Sequence, residues 1–138
     1  MSSHAITAAL TQGYIDGAFG LQTGWPNKPF TPPEGQPFAK LNIDLGETEQ
    51  ATMGTSGRDR NVGFMQVSLF YQQDIGTKAI LEMSDLILAQ FQAGKALTHS
   101  TQVVHIKRKP AVRGPLPFEN LIRIDITIPF WADTLRNT

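Results

Sequence analysis

The sequence predicts an α+β fold in a single domain, a mainly antiparallel four-stranded sheet backed by helices in the order α-β-β-α-β-β. Three observations carry that expectation. Residues 76–92 place Ala79, Ile80, Met83, Leu86, Ile87 and Phe91 at helical spacing. Residues 121–130 alternate, with Ile122, Ile124, Ile126, Ile128 and Phe130 on one face and Arg123, Asp125 and Thr127 on the other. No second apolar core or internal repeat appears in the 138 residues, a length that suits one domain spanning 1–138.

The elements follow in order. Ile6, Leu10 and Tyr14 recur every fourth residue behind Ser2 or Ser3 as N-cap, predicting a helix over residues 2–18, with Gly13, Gly17 and Gly20 weakening and ending it. Residues 21–37 hold Pro26, Pro29, Pro32, Pro33 and Pro37 beside Trp25 and Phe30. Proline lacks the backbone donor that a helix or central strand needs, so this stretch is expected to be an extended arm. Its large aromatic side chains need cover, from the chain's own core or from a neighbour. Residues 38–45 alternate as a strand, with Ala39, Leu41, Ile43 and Leu45 on one face. Residues 46–61 (GETEQATMGTSGRDRN) are polar and Gly/Thr-rich, and are expected to form a long loop. Residues 62–71 are apolar on both faces, the pattern of a central strand. Asp74 or Thr77 is placed to cap the main helix of residues 76–92, and Gly94 to stop it. Residues 101–107 predict a third strand, the proline-bearing 109–119 a loop, and 121–130 the fourth strand.

Composition narrows function. Twelve Lys and Arg balance twelve Asp and Glu, and the charged fraction is 17%. A neutral chain this sparing of charge is poorly equipped to stay apart from its neighbours, which predicts a surface covered by other subunits. Cysteine is absent, so disulfides, thiolate metal sites and Cys nucleophiles are excluded. Residues 1–18 lack a basic n-region with an unbroken apolar run, and no segment reaches the length of a membrane span, so a soluble protein of a cytoplasm-like compartment is expected.

Motifs for catalysis are sparse. His4, His99 and His105 share no metal-ligand spacing. The run Gly54-Thr55-Ser56-Gly57 lacks the Lys and the following helix of a phosphate loop, and reads as a flexible connection. Glu47 with Glu49, and Glu82 with Asp85, read as solvated charges. No enzyme, cofactor or metal is expected. Two basic clusters remain, Arg58-Asp59-Arg60 at the end of the long loop, and Lys107, Arg108, Lys109 and Arg113 around the end of the third strand. Either could meet phosphates or a neighbour's carboxylates. The second cluster supports an alternative reading as a small nucleic-acid-binding module.

The segments WPNKPFTPP, the strand ending LGE, GTSGRDRNVGFMQVSLFY and GTKAILEMSDLILAQF, from about Trp25 to Phe130, resemble a family of phage and prophage tail proteins, the tail terminators. The resemblance implies a non-enzymatic virion protein, assembled in the bacterial host cytoplasm, that forms a ring, commonly a hexamer. Such a ring ends the tail tube and joins it to the head. The implied partners are further copies of the chain, the tube protein, the head connector, and DNA passing the lumen without sequence specificity; no membrane is implied. Matched by position, Arg58, Asp59 and Arg60 fall at the lumen or at an intersubunit ion pair, and Trp25 and Phe30 in a subunit-contact arm. A head–tail joining or neck component is the alternative within the same class.

Overall fold

The structure is a computed structural model that describes residues 2–26, 28–33, 35–50, 58–73 and 76–135. Its elements run α1 (Ser2–Asp16), β1 (Gln22–Gly24), β2 (Phe38–Gln50), β3 (Arg58–Gln72), α2 (Lys78–Gln90), β4 (Ala96–His99), β5 (Gln102–Ile106), β6 (Ala111–Phe118) and β7 (Leu121–Leu135). The described residues are therefore mostly β, 50% strand against 23% helix, and the expected four-stranded sheet in α-β-β-α-β-β order is overturned. Among them seven strands form one mixed sheet in the order β1-β2-β3-β7-β5-β4, with β6 also on β7 and β1 parallel to β2.

Each added strand has a local cause. β1 is three residues long, too short for any alternation to register. β4 and β5 form a hairpin around Ser100, whose φ of 55° supplies the tight turn. β6 lies inside the stretch expected to be a proline loop; Pro115 and Pro117 are tolerated because it is an edge strand. A register shift between Arg113 and Leu116 takes up Gly114, at φ 119°.

The expected loop at 46–61 is mostly strand. β2 continues to Gln50 and β3 begins at Arg58, leaving residues 51–57 outside the described residues. Gly46 does not end β2; it forms a β-bulge between Asp44 and Glu47, with φ 63° and its N–H donating to Asp44 Oδ1 at 2.8 Å. Facing it, Gly63 lies so close to Asp44 that an added Cβ would sit 2.2 Å from that residue's carbonyl oxygen. β7 likewise passes Phe130 and continues to Leu135, pairing with β3 from Gln72 to Arg58.

One face of the sheet carries both helices. Ala39, Leu41, Met65, Val67, Leu69, Ile124, Ile126, Ile128 and Phe130 meet Ile6, Leu10 and Tyr14 of α1 and Ile80, Ile87 and Phe91 of α2 in one buried cluster. Gln90 Nε2 donates to the Gly13 carbonyl at 2.8 Å and ties the two helices. The buried stripe of α2 is narrower than its sequence suggests: Leu81 and Leu86 are 41% and 56% exposed.

Candidate functional site

The face of the sheet away from the helices carries the features that suit contact with other molecules. Register puts Arg60 opposite Asp133, Val62 opposite Trp131, and Trp131 opposite His105. Arg60 spans two of these positions. Its Nε and a terminal nitrogen donate to the two Asp133 oxygens at 2.9 and 3.2 Å, and its guanidinium lies 4.1 Å from the centre of the Trp131 ring. His105 stacks on Trp131 with centroids 4.1 Å apart and planes 17° from parallel. Two bonds and one stacking contact fix the guanidinium plane, the arrangement in which Arg binds most rigidly. Asn61 Nδ2 donates to Thr134 Oγ1 at 3.1 Å, and Gln102 Nε2 to the Asp133 carbonyl at 3.2 Å, so cross-strand polar pairs stitch this end of the sheet.

Towards the other end the same face turns aromatic. Phe38 and Phe70 stack at 4.8 Å, with Phe30 against Phe38 and Phe118 against Phe70. Arg123 lies 5.3 Å from the ring centres of both Phe70 and Phe118, while its Nε donates to Asp125 Oδ1 at 2.8 Å. Ser68 Oγ donates to the same oxygen at 2.8 Å. Between this cluster and the residues after β1 runs an open groove of about 450 Å³, lined by Trp25, Lys28, Phe30, Lys40, Gln66 and Arg123 among others.

The residues singled out from sequence fall in three places. Asp59 and Arg60 lie in β3, on a ribbon three strands wide, rather than in a loop; the side chain of Arg58 is outside the described residues. Trp25 and Phe30 are half-buried on their own chain: Trp25 meets Tyr14 edge-on at 5.8 Å, and Phe30 meets Phe38 at 5.8 Å. Lys107, Arg108, Lys109 and Arg113 are all exposed and stay together, from the end of β5 into β6. Lys107 and Arg108 edge a groove of about 310 Å³ that Asp44, Phe64 and Thr127 also line.

Trp131 and Asp133 were not legible as site residues, because they lie past the point where the apolar alternation of β7 stops. Arg123 and Asp125 were visible as the polar face of that alternation. His4 and His99 meet edge-on at 6.3 Å, and no three metal-binding side chains converge among the described residues. Burial pushes the hydroxyl pKa of Tyr14 upward, with a hydrogen bond to Thr23 at 3.0 Å acting against it. Burial also raises that of Tyr71, helped by the nearby Tyr14. Both belong to the buried cluster on the helix side of the sheet. Among the described residues, no helix is long and apolar enough to cross a membrane.

Residues 4–130 match the profile of a family described as phage tail terminator protein. Fourteen solved chains are similar in structure. One has a TM-score of 0.73 at 17% identity, covering 100% of this chain and 99% of its own. Another, from the virion of a native gene transfer agent (GTA) particle, has a TM-score of 0.64 at 17% identity, covering 96% and 98%. At that identity the likeness speaks to the fold. No curated protein matches the sequence.

Proposed function

The chain belongs to the phage tail terminator family, a structural component of the virion tail, and from that premise we propose that it assembles into a ring, six copies in the commonest form, that ends the tail tube and joins it to the head. The family match over residues 4–130 carries the reading. Physical features support it. The charge is low and balanced, and apolar side chains of β6 and α2 are exposed; both favour surfaces that other subunits cover.

In this reading the ribbon of β2, β3 and β7, with Asp59 and Arg60, reaches the lumen or the adjacent subunit. The segment of Trp25 and Phe30 borders a subunit contact. DNA crosses the opening without base readout, and any contact it makes is to phosphates, from Lys and Arg. The tube protein and the head connector are the partners on the two sides of the ring, and assembly takes place in the host cytoplasm.

Electron microscopy of particles made without the protein tests the role. Overlong tails, or tails lacking heads, are expected. Tails of normal length on heads that leak DNA would place it in the neck instead. Native mass spectrometry with and without purified tail tubes tests the ring: a strict monomer in both conditions would overturn it.

A further inference from the structure

We propose that copies of this chain meet head to tail, the outward face of α2 on one copy docking against the basic edge formed by the end of β5 and β6 on the next. The inference rests on the ring reading and specifies its contact.

Among the described residues, six large apolar side chains are exposed: Ile15, Leu81, Leu86, Val112, Leu116 and Phe118. Five of them fall on two elements. Leu81 and Leu86 flank the outward side of α2, and the others lie on the edge strand β6, which has no buried residue, Val112 towards the helix-bearing face and Leu116 and Phe118, like Arg113, towards the other. Phe118 also touches Phe70 of its own chain. Each patch is dominated by one sign of charge. On α2 the exposed side chains between the leucines are Glu82 and Asp85; Lys78 approaches Glu82 only at 3.8 Å, with both largely in solvent, a weak pairing. On the other patch Lys107, Arg108, Lys109 and Arg113 are exposed, none in an ion pair with a described residue, and residues 107–118 contain no carboxylate. Glu119 follows at the far end of β6, Asp44 lines the groove beside Lys107 and Arg108 with Oδ1 engaged by the Gly46 N–H, and Asp125, the register partner of Arg113, has its Oδ1 engaged by Arg123 and Ser68.

The patches do not satisfy each other within one chain, because α2 packs on β3, β7 and α1, whereas β6 pairs with β7 alone. Two different patches, each apolar and of opposite charge, are complementary between copies. A contact of that kind is heterologous, and heterologous contacts generate rings when the rotation closes. A two-fold contact that joined each patch to its own copy would instead set like charges together, at a penalty.

Charge exchange tests the assignment. E82K/D85K and K107E/R108E/K109E alter only exposed side chains, so each variant should fold as wild type does by circular dichroism. Each alone should self-associate roughly a hundredfold more weakly, in sedimentation and native mass spectrometry with tail tubes present. Mixed in equal amounts the two variants should assemble again, alternating around the ring, and the variant that combines all five substitutions should assemble unaided. Rings from either variant alone, or no recovery in the mixture and the combined variant, would overturn the contact while leaving the ring intact. Absence of any wild-type assembly would overturn the ring reading, and this contact with it.

Discussion

Replacing Gly63 by alanine isolates the cost of the bulge in β2. The new Cβ would lie 2.2 Å from the Asp44 carbonyl oxygen and 2.8 Å from the Leu45 carbonyl carbon. Ordinary contact is wider by roughly 1 Å, and the atoms that must give way are backbone. Strands sit about 4.8 Å apart, so that displacement is a large share of the spacing at a position that faces the bulge of β2 on one side and pairs with Phe130 of β7 on the other. Overpacking of this kind costs about 2–3 kcal/mol, which for a domain this size lowers the melting temperature by roughly 8–12 °C. Gly94→Ala supplies the comparison. Gly94 has φ 82° with nothing within 4 Å of an added Cβ, so only left-handed strain is charged to it, about 1 kcal/mol. Thermal melts followed by circular dichroism, together with urea titrations, compare the two. If Gly63→Ala melted within 2 °C of wild type, or above Gly94→Ala, the close approach of β2 and β3 would be refuted.

Other substitutions probe other layers. Phe91→Ala empties a site of 0% exposure between α2 and the sheet; urea unfolding should show a loss of about 3–5 kcal/mol with an unchanged slope, and a loss below 1 kcal/mol would contradict its place in the core. Asp133→Asn weakens the Arg60 pair, whose side chains are 41% and 24% exposed; the expected loss is under about 1 kcal/mol and should shrink as salt is added. Tyr14 and Tyr71 should ionise above the usual tyrosine value of 10.0 in a spectrophotometric titration. Because the folded chain then keeps protons that the unfolded chain has released, stability should be fully present below pH 10 and fall as pH rises beyond it. Titration of either tyrosine at or below its ordinary value would contradict the burial.

Legibility from sequence followed the apolar core. α2 and the first ten residues of β7 are periodic because each has one face on that core, and both were readable. The outer ends of β2, β3 and β7 project past it. There strand partners such as Thr48 and Asn61, or Arg60 and Asp133, are polar on polar, so alternation falls silent although pairing continues. Gly46 was misleading for a related reason: glycine marks turns more often than bulges, and only the close approach of Gly63 separates the two. β6 was concealed by prolines that an edge strand can hold. The stacked Arg60, Trp131 and His105 come from three strands, and no local pattern in sequence joins them. The basic cluster at 107–113 was legible as a charge run, but its pairing with α2 needed the exposure of Leu81 and Leu86.

β3 and β7 run antiparallel and pair along all fifteen residues of each. Traction that draws the two strands lengthwise past one another strains the entire ladder at once, whereas a pull across them would peel it pair by pair. The outer end of the ribbon holds bidentate Arg60–Asp133 and Asn61–Thr134 clasps, which act as rivets where peeling would start. The ribbon is thus stiffest along its own length, and a lengthwise load at its outer end is shared along the ladder into the helix-backed half of the sheet.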